Sequence, residues 1–407
     1  MTIRAMTRSQ STPALQRMLA AALLLCCAAQ ALAAPTAKRE GEYQTTAPTA
    51  VLIDFDSGTV LFEKNADELV PPASLSKLMT AEVVFNELRS GRIQLTDQFF
   101  VSTNAWRTGG APSRTSSMFA PIHSRVAVED LLRGVIIQSG NDSCITLAEG
   151  LAKSEDKFAA MMTERARQIG LSRATFGNST GLPHPKQLMT ARELGRLARH
   201  IIQTYPEFYK FYGEREFTFN RIRQFNRNPL LAMNIGADGM KTGFVKEAGY
   251  GLVGSAVQDG LRLIVVVNGT RTEKERADEA RKLLEWGFKN FQSGVLFPDG
   301  QTIAHAKVYG GENGYVGLVA EREVRLMVPR GVRERILARV IYTGPVRPPI
   351  KKGQRIGELK VWRGDFMVLE VPLQAAEPVG QGNMARRALD AVTEMMIALF
   401  QAGVRRL

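Results

Sequence analysis

Apolar residues along this chain follow two rhythms, one returning every second position and the other every third or fourth, and together these divide the chain into elements. Ala50 to Asp54 has the strand rhythm, Asp56-Ser57-Gly58-Thr59 supplies turn residues, and Val60 to Lys64 returns, so a β-hairpin is predicted. Pro71-Pro72 ends that extended stretch. Leu75, Leu78, Met79, Val83 and Leu88 then fall at helical spacing, predicting a long helix from Ser74 to Leu88. Further helices are read over Val128 to Gln138, Asp142 to Ala152, Glu155 to Ile169 and Ala191 to Gln203. Gly249 to Gln258 and Leu261 to Asn268 read as strands joined by the tight turn Asp259-Gly260, and an amphipathic helix follows from Glu273 to Lys289. Helices on an antiparallel sheet make this part α+β. From Phe291 to about Glu377 the pattern changes to short β-branched runs broken by Gly and Pro, including Val324 to Val328, Ala338 to Tyr342 and Val368 to Val371, which predicts a smaller all-β domain. Asn383 to Leu407 sorts Arg386, Asp390, Glu394, Gln401 and Arg405 from Leu389, Val392, Met396, Leu399 and Phe400, so the chain is expected to end in an amphipathic helix.

With 407 residues the chain exceeds one ordinary core, in keeping with two folding units. The first 33 residues hold Arg4, Arg8 and Arg17 without an acid, then the apolar run Met18 to Ala29, then Ala31-Leu32-Ala33. That is the pattern of a secretory signal peptide cut before Ala34, and residues 34–46 read as a linker. Its loss removes three positive charges from the formal +13 and leaves Cys144 alone, so no disulfide is expected within the mature chain. Cys144 on an apolar helix is read as packing rather than chemistry. For an exported protein the basic balance suits anionic lipid or an anionic wall polymer. The interleaved aromatic and basic residues of a nucleic-acid module are absent, so no nucleic-acid partner is expected. The four histidines have no metal-ligand spacing, and neither a metal nor another cofactor is expected. The C-terminal helix lacks the roughly 18 apolar residues of a membrane span. The hinge Gly380 to Gly382 before it and the pairs Arg386-Arg387 and Arg405-Arg406 favour lying on an anionic membrane surface over docking on its own protein.

Three short motifs bring chemistry into this outline: Ser74-Leu75-Ser76-Lys77, Ser139-Gly140-Asn141 and Lys241-Thr242-Gly243. A serine hydroxyl is a weak nucleophile unless a base takes its proton during attack. Lys77, one helical turn from Ser74, serves as that base if burial or a nearby positive charge, for which Lys241 is a candidate, lowers its pKa. Ser139 is expected to relay a proton, and the Asn141 amide to hold both the lysine and the substrate backbone. The same four residues from Ser139 also suit a turn capping the next helix, and both readings can hold together. Lys241 and Thr242 are expected to bind a substrate's terminal carboxylate from a strand edge, with Gly243 permitting close approach. Backbone N–H groups of Ser74 and Phe244 are the candidate oxyanion donors. Each motif alone is common; the three in these contexts read as an acyl-transferring serine enzyme.

With Ala73 to Thr80, Ser139 to Cys144 and Asp238 to Gly243 in view, together with Asn226-Arg227-Asn228, Ala248-Gly249-Tyr250, Gly269-Thr270-Arg271 and Leu283 to Phe288, the chain resembles the low-molecular-mass penicillin-binding proteins of the serine-type D-alanyl-D-alanine carboxypeptidase family. The resemblance implies a DD-peptidase/β-lactamase-like catalytic domain over 47–290, a β-rich domain over 291–378 and a membrane-association helix over 379–407. It implies removal of the terminal D-alanine from peptidoglycan pentapeptide stems, with Ser74 acylated and β-lactams trapping the acyl-enzyme. It makes Ser74, Lys77 and Ser139 catalytic, and Asn141, Lys241, Thr242, Gly243 and Phe244 substrate-binding, with Arg271 a second contact to the carboxylate. It places the protein in the periplasm, on the outer face of the cytoplasmic membrane. It also implies a structural pair between Glu193 and Arg227 beneath the site. Some relatives carry His directly after Lys-Thr-Gly where this chain has Phe244, which implies slower deacylation. Two alternatives are a β-lactamase, for which Glu193 is the local candidate base, and a non-catalytic wall scaffold.

Overall fold

The computed structural model describes residues 43–331, 336–363, 366–385, 387 and 388, and the described residues from Thr45 onward form one compact unit. Its larger part is built on a five-stranded antiparallel sheet of β1 (Thr49–Asp54), β2 (Val60–Lys64), β3 (Ala237–Val245), β4 (Gly249–Gln258) and β5 (Leu261–Thr270), in the order β2-β1-β5-β4-β3. All six residues of β1 are buried, because helices cover both faces of the sheet. Successive side chains of a strand point to opposite faces. Gly195 of one helix lies against Val51 and Ile53, whereas Gly287 of another lies against Leu52 and Leu263. β3 is an edge strand.

The helices are α1 (Lys77–Arg89), α2 (Val128–Arg133), α3 (Asn141–Ala152), α4 (Glu155–Gln168), α5 (Ala191–Thr204) and α6 (Glu273–Asn290). Local sequence sets several starts. Ser154, Thr190 and Thr272 cap α4, α5 and α6 by accepting from the N–H three residues on, and Thr190 and Thr272 each have Glu at that third position. The stripe Leu194, Leu197, Ala198, Ile201 and Ile202 of α5 is buried, as its spacing predicts. α1 is sequestered almost entirely within the helical part of the core. The predicted helix at Ser74 differs at its start: Ala73–Ser76 form a 3-10 turn, with Ala73 at φ +51, before the α-helix begins at Lys77. The predicted helix from Val128 changes after Arg133 into a π-helical turn, Gly134–Gln138, which closes on Ser139 at φ +63.

α6 runs straight into the β-rich part: β6 (Phe291–Phe297), β7 (Ala304–Lys307), β8 (Tyr315–Ala320), β9 (Val324–Pro329), β10 (Ile336–Tyr342), β11 (Arg355–Arg363) and β12 (Phe366–Ala375). β6 pairs with β9 as a ribbon, and the others form an antiparallel sheet in the order β7-β8-β12-β11-β10 around a second core that includes Val316, Leu318, Leu326, Leu359, Val361 and Leu373. The α+β part followed by an all-β part agrees with the sequence expectation. Thr59 Oγ1 in the first hairpin donates to the Val368 carbonyl at 3.1 Å, tying the two parts. The signal peptide, and all but the first turn of the C-terminal amphipathic helix, lie outside the described residues. Among the described residues no helix is long and apolar enough to cross a membrane.

Candidate active site

The 3-10 turn presents Ser74 half-buried between Ala73 and Leu75, which are buried. Leu75 N–H donates to the Pro72 carbonyl at 3.1 Å and Ser76 Oγ to the Ala73 carbonyl at 2.9 Å, so the serine sits on a braced turn. Lys77, 1% exposed, brings Nζ to 3.0 Å from Ser74 Oγ, 2.8 Å from Asn141 Oδ1 and within hydrogen-bond reach of the Thr180 carbonyl. Asn141 Oδ1 and the Thr180 carbonyl only accept, whereas the serine hydroxyl can also donate. A neutral amine spends its two N–H bonds on those acceptors, and its lone pair is left for the Ser74 proton. Burial lowers the Lys77 pKa below the ordinary lysine value, and the Arg227 charge pushes the same way.

Asn141 opens α3 and is held from several sides. Its N–H donates to the Ser116 carbonyl at 2.7 Å and its Nδ2 to Thr115 Oγ1 at 3.0 Å. The loop that supplies those acceptors is fixed by Asp142, fully buried, whose carboxylate accepts from Ser117 Oγ at 2.7 Å, Met118 N at 2.9 Å and Ala120 N at 3.1 Å. Ser139 is 2% exposed in a left-handed conformation. No hydrogen bond among the described residues joins its hydroxyl to Lys77 or Lys241.

The edge strand β3 brings in the third motif. A Cβ on Gly243 would lie 3.1 Å from Leu75 N and 3.2 Å from the Pro72 carbonyl, so this strand packs against the serine turn with room for little more than hydrogen. Lys241 and Thr242 are buried, and Lys241 Nζ donates to the Thr242 carbonyl at 3.0 Å. Burial, then the charges of Lys77 and Arg227, hold the Lys241 pKa well below the ordinary lysine value. Phe244 is half exposed and stacks on Tyr250 with centroids 4.2 Å apart; the guanidinium of Arg276 lies 5.7 Å from that Tyr250 ring. Arg271 is exposed and lines, with Phe244, a groove of about 570 Å³ beside the strand end. Lys77, Lys241, Arg227 and Arg276 make no ion pair with a carboxylate among the described residues, so the crevice is a cationic well suited to a carboxylate ligand.

Two residues have other places than the sequence suggests. Glu193 and Arg227 do not pair: Glu193 Oε1 accepts from the backbone N–H of Arg173 at 2.7 Å and of Ala174 at 3.2 Å, while Arg227 donates to Ser116 Oγ at 2.6 Å. The acid therefore pins a loop by itself, and the arginine belongs to the charged crevice. The loop from Asn178 to Gly181 is an addition that the motifs do not contain. Asn178 Oδ1 accepts from Thr180 N, Thr180 Oγ1 and Gly181 N, shaping the turn that aims the Thr180 carbonyl at Lys77. The tetrad Asn-Ser-Thr-Gly is a turn signal legible in sequence, though nothing in it announces a carbonyl bound for a lysine. Cys144 is buried, and burial raises its thiol pKa to about 12, which suits packing. Among the described residues no three His, Cys, Asp or Glu side chains gather where they could hold a metal ion.

Residues 34–272 match the family described as D-alanyl-D-alanine carboxypeptidase, and residues 291–381 match the C-terminal domain of penicillin-binding protein 5. The chain is 42% identical over 345 residues to the D-alanyl-D-alanine carboxypeptidase DacC of Escherichia coli strain K12, covering 84% of this chain and 86% of that protein. Its fold is similar to the crystal structure of penicillin-binding protein 5 from Haemophilus influenzae, with a TM-score of 0.75, 39% identity and coverage of 84% and 99% of the two chains. It is also similar to penicillin-binding protein D2 of Listeria monocytogenes in its ampicillin-bound form, with a TM-score of 0.55, 30% identity and coverage of 61% and 99%. Taken with three motifs that meet around one buried amine, these likenesses establish that the chain belongs to the D-alanyl-D-alanine carboxypeptidase family.

Proposed function

We propose that this protein is a serine-type D-Ala-D-Ala carboxypeptidase that removes the terminal D-alanine from peptidoglycan pentapeptide stems through an acyl-enzyme on Ser74. The observation that carries this reading is the Lys77 amine, buried, depressed in pKa and 3.0 Å from Ser74 Oγ. As Ser74 Oγ attacks the penultimate D-alanine carbonyl, its proton passes to Lys77, and the oxyanion takes the N–H groups of Ser74 and Phe244. The C–N bond then breaks, the leaving amine receives the proton through Ser139, and free D-alanine departs. Water, deprotonated by the same lysine, hydrolyses the ester and restores Ser74. The substrate's terminal carboxylate binds Lys241, Thr242 and Arg227, with Arg271 at the rim, and its backbone pairs with the free edge of β3, held from the far side by Asn141.

A β-lactam ring presents the same reactive amide and acylates the same serine; the ampicillin-bound form of the Listeria relative supports this. A β-lactamase reading is weakened because both hydrogen bonds to Glu193 Oε1 come from backbone N–H groups. We further propose that residues 1–33 direct export, that 47–290 and 291–378 are the catalytic and β-rich domains, and that 379–407 rest on the periplasmic face of the cytoplasmic membrane. Release of D-alanine from Nα,Nε-diacetyl-L-Lys-D-Ala-D-Ala, abolished in Ser74→Ala, tests the activity; equal rates in variant and parent refute it. Truncation after Gly382 is expected to move the protein from the membrane to the soluble fraction, and continued membrane binding refutes the anchor.

A further inference from the structure

Beyond Phe244 the edge strand β3 leads into a second groove, of about 340 Å³, that none of the three motifs enters. Its walls are Pro71, Leu182, Pro183, Pro185 and Val245, with the carboxylate of Glu247 at the mouth. It adjoins the reaction centre: Gly181, in its wall, lies so close to the Ala73 carbonyl that a Cβ there would be 2.1 Å away. Glu247 is exposed and has no ion pair among the described residues. Gln187 lines the same groove at 1% exposure; its Oε1 accepts from Gly177 N at 2.8 Å and Asn178 N at 3.2 Å, while its Nε2 has no acceptor. A buried amide donor left over beside a groove is suited to a peptide carbonyl.

Strand direction says which part of a substrate arrives there. With the carboxylate at Lys241 and Thr242 and the scissile carbonyl at the Phe244 N–H, a peptide on this edge runs antiparallel to β3, and its next residue toward the N-terminus reaches Val245 and Glu247. Resting on the catalytic reading above, we propose that this groove is the subsite for the residue preceding D-Ala-D-Ala, and that it selects an aliphatic side chain ending in a free amine. The apolar walls take the methylenes, Glu247 takes the ammonium and Gln187 Nε2 takes a backbone carbonyl. Lys246 lines the neighbouring groove and not this one, so no positive side chain of β3 opposes the amine.

The test compares Nα-acetyl-L-Lys-D-Ala-D-Ala with its Nε-acetylated counterpart. In the parent protein kcat/KM is expected to favour the free amine by about fivefold, the upper range for an exposed ion pair. Glu247→Gln abolishes that preference and Glu247→Lys inverts it, while the rate of acylation by fluorescent penicillin stays at the parental value in both. Leu182→Ala lowers kcat/KM for both peptides and keeps their ratio. An unchanged ratio in Glu247→Gln, or no preference in the parent, overturns the subsite while leaving the carboxypeptidase reading intact. Absence of D-alanine release from both peptides in the parent overturns both.

Discussion

Replacing Gly181 by alanine strikes at the environment of Lys77 without touching any residue of the three motifs. Gly181 has φ +80, and its added Cβ would lie 2.1 Å from the Ala73 carbonyl oxygen and 2.6 Å from Ser76 Oγ. A backbone oxygen on a braced turn cannot swing aside, so the loop has to withdraw until the contact exceeds 3.0 Å. Thr180, the preceding residue, withdraws with it, and Lys77 loses one of the two acceptors that orient its amine. Left-handed backbone at a non-glycine costs about 1–2 kcal/mol. Overpacking adds about 1–3 kcal/mol, so the variant is expected to be destabilised by about 2–5 kcal/mol in thermal unfolding. Displacement of a reacting group by about 1 Å is expected to slow acylation about a hundredfold. The assay is the second-order rate of labelling by fluorescent penicillin. Gly170→Ala is the control: it has φ +83 but nothing within 4 Å of the added Cβ, so it carries the backbone strain alone. If Gly181→Ala is acylated as fast as Gly170→Ala, the Thr180 carbonyl has no part in positioning the lysine and the argument fails.

Other outcomes follow from the same geometry. Asp142→Ala leaves Ser117 Oγ and the N–H groups of Met118 and Ala120 without their buried acceptor; each bond to a charged group contributes about 1.5–3 kcal/mol, so a loss of about 3–5 kcal/mol is expected, together with slower acylation as Asn141 loosens. Native stability and an acylation rate equal to the parent's would refute it. Because Lys77 has to be neutral to take a proton and its pKa is lowered, the acylation rate should rise with pH through a midpoint below the usual lysine value of 10.5. Arg227→Met removes a neighbouring positive charge and should move that midpoint upward; a midpoint that stays or falls contradicts the assignment. Phe244→His should shorten the lifetime of the penicilloyl-enzyme and leave its formation nearly unchanged, read from the decay of label after excess unlabelled penicillin is added; an equal or longer lifetime refutes the role given to this position.

Much of this site was legible in the chain because its parts are local. Ser74 and Lys77 meet across one turn, and the Pro71-Pro72 break and the apolar spacing after it mark where that turn begins. The hairpin of β1 and β2 and the pair β4 and β5 carry their own turn residues, and their limits differ from the sequence reading by a residue or two. What escaped depends on distant chain. The strands Glu216–Phe219 and Ile222–Phe225 are too short and polar to stand out, yet Gln224 Nε2 reaches the Met118 carbonyl and steadies the loop around Asn141. Thr180 acts through a carbonyl, a group that every residue has, so its type could not reveal the part it plays. Arg227 and Glu193 offered opposite charges and were paired on that ground; the fold gives the acid two backbone N–H donors and the arginine a serine hydroxyl.

The central claim is that the hydroxyl of Ser74, activated by the Lys77 amine, forms the covalent intermediate. Intact-mass and peptide mass spectrometry of the protein mixed with benzylpenicillin tests it most directly. One penicilloyl group per chain, carried by the peptide containing Ser74, absent in Ser74→Ala and formed far more slowly in Lys77→Met, is the result expected. A stable adduct on any other residue, or labelling of Lys77→Met at the parental rate, contradicts it.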